Sequence, residues 1–149
     1  MGRLLKWLVG VFLAVFLLIQ LVPVERSNPP VLGELTAPDP VMEVLRGSCY
    51  DCHSNETIWP WYSRVAPVSW RLAEHVREGR EHLNFSEWSE LSTEDRQELR
   101  EEIWEEVEEG HMPLSDYLRM HPEAVLTEAQ REVLRRWSEG RAQEFPDWN

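Results

Sequence analysis

Cys49-Tyr50-Asp51-Cys52-His53 contains both cysteines of this 149-residue chain and places a histidine directly after the second. Cys-x-x-Cys-His is the spacing at which a c-type haem is attached. Two thiols three positions apart on one short helical turn can each add to a vinyl group of the same porphyrin. The adjacent imidazole then lies under the iron as proximal ligand. Cys49, Cys52 and His53 thus supply both covalent attachment and axial ligation of haem c.

Other uses of a cysteine pair fit less well. A thioredoxin-like pair would open a helix behind a strand, and no alternating β-branched run precedes Cys49. A structural zinc site needs four ligands, and His75, His82, His111 and His121 are not spaced as a second ligand pair. A disulfide across three residues closes too small a loop to stabilise much.

N-terminal to the motif, residues 4–22 are almost continuously apolar. About 20 helical residues cover the roughly 30 Å hydrocarbon core of a bilayer, so residues 1–24 read as a transmembrane anchor. A cleaved secretory signal has a shorter apolar region and a small-x-small cleavage site. Gln20-Leu21-Val22-Pro23 offers bulky residues there, which favours retention. Arg3 and Lys6 belong on the cytoplasmic side by the positive-inside rule. The expectation is a single-pass protein of the cytoplasmic membrane with a periplasmic C-terminal domain, the side on which haem c is attached.

Beyond the anchor, 13 Lys and Arg face 27 Asp and Glu, a net charge of −14. Such an excess excludes nucleic acid as a partner and repels anionic lipid surfaces. It serves solubility, or speeds encounter with a basic redox protein.

Residues 25–40, with Pro29-Pro30, Gly33 and Pro38-Asp39-Pro40, read as a Pro-rich tether holding the domain off the membrane. Asp39 is the expected cap of a helix from Pro40 to Gly47 that leads into the haem turn. Trp59-Pro60-Trp61-Tyr62-Ser63-Arg64-Val65-Ala66-Pro67 reads as an ordered aromatic loop whose rings either fill the core or, with Arg64, meet haem propionates. Val68 to Gly79 forms an amphipathic helix with His75 off its apolar stripe. Ser92 and Asp95 begin a helix to Glu109, with Leu99, Ile103, Trp104 and Val107 on the buried stripe. Its acidic C-terminal half, disfavoured by the helix dipole, is a solvated face or a docking surface. Thr127 and Gln130 form a capping box for the last helix, ending near Gly140, and residues 141–149 show no pattern. No strand candidate appears, so residues 41–140 read as one all-α, haem-binding domain.

The iron held by His53 takes a sixth ligand or keeps an open site, which separates electron transfer from ligand or peroxide chemistry. Met112 in Gly110-His111-Met112-Pro113-Leu114 is the leading candidate, with Pro113 fixing the local backbone. His111 is next, then Met120 and His121.

A short helix, Cys-x-x-Cys-His, a Met-Pro loop and a terminal helix with Leu134 and Trp137 resemble a class I cytochrome c, in which the first and last helices cross beside the porphyrin. More narrowly, Cys49-Tyr50-Asp51-Cys52-His53-Ser54-Asn55, Trp59-Pro60-Trp61-Tyr62-Ser63, Gly79-Arg80, Leu83-Asn84-Phe85-Ser86, Met112-Pro113-Leu114 and His121-Pro122 resemble the bacterial haem-binding domain family of small, membrane-tethered c-type cytochromes. The resemblance implies covalent haem on Cys49 and Cys52, with His53 and Met112 as axial ligands. The expected function is electron transfer between redox proteins, with no small-molecule substrate and no catalysis. The alternative is a peroxidase or small-gas-binding protein in which Met112 is off the iron and His111 or His75 serves as distal acid and base.

Overall fold

A computed structural model describes residues 2–141 and is helical, with no strand among those residues. Helix α1 (Gly2–Ile19) carries the apolar run; it is long and apolar enough to cross a membrane, and none of its side chains is buried by the rest of the chain. It ends three residues before the apolar sequence does. The N–H groups of Gln20, Leu21 and Val22 donate to the carbonyls of Leu17, Leu18 and Ile19, a tighter turn that closes the helix.

Residues 25–40, expected to act as a tether, are laid along the domain. Leu35 is 2% exposed and belongs to the core. The Leu32 and Gly33 N–H groups donate to the Ser86 carbonyl, Leu35 N–H to the Phe85 carbonyl, and Ser89 N–H back to the Gly33 carbonyl. A proline-rich segment has few donors of its own, and three of those it keeps find partners in one neighbouring turn. The segment is a strap, and it does not hold the domain at a distance.

Helix α2 (Asp39–Ser48) starts one residue earlier than expected, with Pro38 as N-cap and no side-chain cap bond. Asp39 lies in the first turn, where the dipole favours a carboxylate, and Pro40 follows where its missing N–H costs nothing. Gly47 does not end the helix; Cys49 N–H still donates to the Leu45 carbonyl. One residue later the motif turns again as α3 (Tyr50–His53).

Helix α4 (Val68–His82) runs one turn beyond Gly79. Helix α7 (Glu128–Ser138) opens on the Thr127/Gln130 capping box that the sequence indicated, and at α5 (Thr93–Glu108) the expected Ser92 N-cap is completed by Asp95 into a second reciprocal box. The short α6 (Ser115–Leu118) lies between them.

Helix α7 packs against both α2 and α5, and Val133, Leu134 and Trp137 from its apolar face meet Val41, Val44 and Leu45 of α2 and Ile103 and Val107 of α5 in one core. Leu99 and Trp104 flank that core without being fully buried. Rings run through it in sequence: Tyr50 stacks on Phe85 at 5.0 Å, Phe85 meets Trp88 at 6.3 Å, and Trp88 meets Trp137 at 6.3 Å. Trp61, by contrast, is 73% exposed, so the aromatic loop is not core filler throughout.

The acidic end of α5 has a local remedy. From α7, Arg131 Nη1 donates to the Val107 carbonyl at 2.8 Å and Nη2 to the Glu108 carbonyl at 3.4 Å. A guanidinium therefore meets the negative end of the dipole that the run of glutamates aggravates.

Candidate functional site

Helices α3, α4 and α5 and the loop after α5 enclose a cavity of about 540 Å³, within the range typical of cofactor sites. Cys49, Cys52, His53 and Met112 all line it. Leu72, Leu83, Phe85, Leu99, Ile103 and Val107 provide an apolar wall, while Tyr62, Tyr117 and Arg71 contribute polar groups.

The motif turn is held in place from several sides. Cys52 and His53 N–H groups donate to the Cys49 carbonyl, closing the turn. The Asp51 carboxylate accepts from Ile58 N–H at 3.0 Å and from the Tyr117 hydroxyl at 2.9 Å. Ser54, fully buried, donates to the Tyr50 carbonyl at 2.7 Å. Gly79 of α4 lies against the turn so closely that a Cβ there would meet the Cys52 carbonyl oxygen at 2.8 Å. The glycine is needed for close approach of two backbones, which explains why α4 continues through it.

His53 is oriented by the backbone. Its Nδ1 lies 3.2 Å from the Leu83 carbonyl, a bond that fixes Nδ1 as donor and leaves the Nε2 lone pair free. Burial lowers its pKa below the ordinary value, which keeps the imidazole neutral. A neutral imidazole with one nitrogen held by a carbonyl is the form that ligates a metal.

The two thiols are free, and burial raises them, Cys49 to about 12 and Cys52 to about 11. A redox-exchange pair needs at least one depressed thiol. No strand precedes the pair among the described residues either, and a thioredoxin-like role needs one. Among the described residues no group of three or more His, Cys, Asp and Glu could hold a metal ion, so a zinc site fares no better.

Of the candidates for a second axial position, Met112 and Met120 line the cavity, and His111 and His121 do not. The Gly110 φ of 77° turns the chain out of α5, and the N–H groups of His111 and Met112 both donate to the Glu106 carbonyl, at 2.9 and 3.0 Å. Met112 is half-buried, packs against the core and lines the cavity. His111 is exposed and faces the Glu109 and Glu106 carboxylates at 3.3 and 3.5 Å. His121 stacks on Tyr117 at 4.3 Å and its Nε2 lies 2.6 Å from the Tyr62 hydroxyl. Met120, His75 and His82 also line the cavity.

Sequence reasoning gave Arg80 no role beyond its place in the Gly79-Arg80 pair of the resemblance. Its Nε donates to the Ser54 carbonyl, Nη1 to the Ser27 carbonyl, and Nη2 to Asn28 Oδ1 and Thr57 Oγ1, at 2.8 to 3.0 Å. One guanidinium thus ties strap, motif and α4 together. Asn55 extends the network: its N–H donates to Ser86 Oγ, its Nδ2 to the Pro30 carbonyl, and its Oδ1 accepts from Asn84 Nδ2. Asn84-Phe85-Ser86 therefore orders the loops around the cavity. Such partners are distant in sequence, and no local pattern marks them.

A neutral, backbone-held imidazole, two cysteines and a thioether on one mainly apolar cavity fit a haem. Residues 14–140 match the model of the family described as the haem-binding domain. No curated protein and no solved structure matches the chain.

Proposed function

The chain belongs to the haem-binding domain family, and from that we propose that it is a membrane-anchored c-type cytochrome passing electrons between redox partners outside the cytoplasmic membrane. Haem, when bound, supplies the one-electron chemistry. The residues of the chain would hold it and close it off. Cys49 and Cys52 would form the thioether links, His53 Nε2 would ligate from one side, and Met112 is the proposed second ligand. The observation that carries this reading is that all four line one cavity while Leu83 fixes the His53 tautomer.

Met112 favours a carrier over a catalyst. A thioether ligand raises the potential and leaves no open position for substrate. The test is the absorption spectrum of the oxidised protein made with the maturation machinery. The weak long-red band of methionine coordination is the expected result, and a high-spin five-coordinate spectrum would overturn the carrier reading.

One observation favours the second reading, peroxide or small-gas chemistry: His75 lines the same cavity. His111, the other residue considered for that role, faces solvent. Prompt binding of carbon monoxide by the reduced protein would support it, and failure to bind would dismiss it.

A further inference from the structure

In the whole domain, the stretch most unlike its surroundings is residues 57–73. It has no Asp or Glu, in a chain with 27 of them, and it holds Trp59, Trp61, Tyr62 and Trp70 together with Arg64 and Arg71. Several of its apolar side chains are left uncovered: Trp61 is 73% exposed, Val68 51% and Trp70 38%. An acidic domain has no evident reason to leave such a patch in water.

The patch adjoins the end of the anchor. Gln20 Oε1 accepts from Ala66 N–H at 2.9 Å, and Gln20 Nε2 donates to the Ala66 carbonyl at 3.2 Å and to the Phe16 carbonyl at 2.9 Å. Arg26 Nη1 donates to the Ser63 carbonyl at 2.7 Å. The 3-10 turn Trp61–Arg64 and the first turn of α4 are thereby clamped beside the last turn of α1.

The length of α1 fixes the depth of this junction. Its 18 residues span about 27 Å, slightly less than the roughly 30 Å hydrocarbon core. The whole helix is needed to cross, which puts Gln20 and its partner Ala66 at the membrane surface. Leu21 and Val22, also exposed, continue the apolar surface there. Indole rings and arginines flanked by aliphatic side chains are the composition of an interfacial contact.

We propose that Trp61, Val68 and Trp70 seat the domain on the bilayer that α1 crosses, with Arg64 at headgroup level. This rests on the anchoring reading above. The net charge of −14 describes the domain as a whole and not this face, so the repulsion expected from lipid does not apply locally. Val68 and Arg71 also line the cavity, so docking holds one edge of the haem site at the membrane surface.

The test is hydroxyl-radical footprinting of the full, haem-loaded chain, one copy per phospholipid nanodisc of mixed zwitterionic and anionic lipid, with Trp7 as the marker of insertion. In water Trp61 would be oxidised faster than the half-buried Trp104. Docking predicts the reverse order, with Trp61 and Trp70 about threefold or more slower than Trp104. Protected Trp7 with Trp61 faster than Trp104 would overturn the docking and leave the anchor standing. Unprotected Trp7, with the chain extracted by alkaline carbonate, would overturn the anchoring and the docking with it.

Discussion

Met112 and His111 are neighbours with opposite fates, one turned into the cavity and the other toward Glu109 and Glu106. The difference sets up a paired experiment. In Met112→Ala the haem should stay covalently attached while the long-red band disappears and the potential falls, because only the thioether is lost. In His111→Ala the spectrum should not change. An unaltered protein without the band, whose spectrum changes in His111→Ala and not in Met112→Ala, would move the axial assignment to the histidine. At this scale the sequence was informative where chemistry is written in spacing. Cys49, Cys52 and His53 stand out by position alone, and Met112 by the proline after it. The Leu83 carbonyl that holds His53, and the Asp51 carboxylate that takes Ile58 N–H and the Tyr117 hydroxyl, leave no trace in any local pattern.

Among the elements, α3 and α4 meet at Gly79, where a side chain would run into the Cys52 carbonyl. Gly79→Ala should push the motif turn away from α4. The expected outcome is reduced haem incorporation, measured as the ratio of haem to polypeptide, although alanine improves helix propensity by about 1 kcal/mol. Normal loading would show that the contact yields without consequence. Arg80→Met removes four hydrogen bonds, two to the strap and two to Ser54 and Thr57 just after the motif, while keeping the aliphatic length. Charge-assisted bonds contribute about 1.5–3 kcal/mol each in favourable cases, but they do not add. A loss of about 2–4 kcal/mol in denaturant unfolding is expected, with faster proteolysis of residues 25–35. Both helix N-caps and the α5 and α7 stripes were legible because they obey rules local in sequence. The strap was not, since Pro29, Pro30 and Gly33 are equally at home in a free linker. Its partners, Ser86 and Arg80, lie some fifty residues away. The extension of α4 was missed for a related reason: Gly79 serves packing against Cys52, and a glycine so placed looks like a stop.

For the molecule as a whole, the distribution of charge matters more than its sum. Glu101, Glu102, Glu105 and Glu108 are exposed on α5 and Glu109 at its C-cap, while residues 57–73 carry no acid at all. If the acidic helix receives a basic partner, reduction rates should fall steeply as salt rises. Changing Glu101, Glu105 and Glu108 to Gln, none of which lines the cavity, should flatten that dependence without altering the spectrum. Unchanged salt dependence would assign those carboxylates to solubility. The all-helical class and the apolar N-terminal helix could be read from sequence; the contact between Gln20 and Ala66, which fixes the domain against the helix end, could not. Every functional role proposed for the chain depends on the porphyrin being joined to Cys49 and Cys52. The intact mass of the full chain, produced beside a working cytochrome c maturation system and denatured in acid before measurement, decides that point. The predicted mass is that of the polypeptide plus one haem, reverting to bare polypeptide in Cys49→Ala/Cys52→Ala. A bare mass for the unaltered chain, with a control cytochrome matured in the same cells, would contradict it.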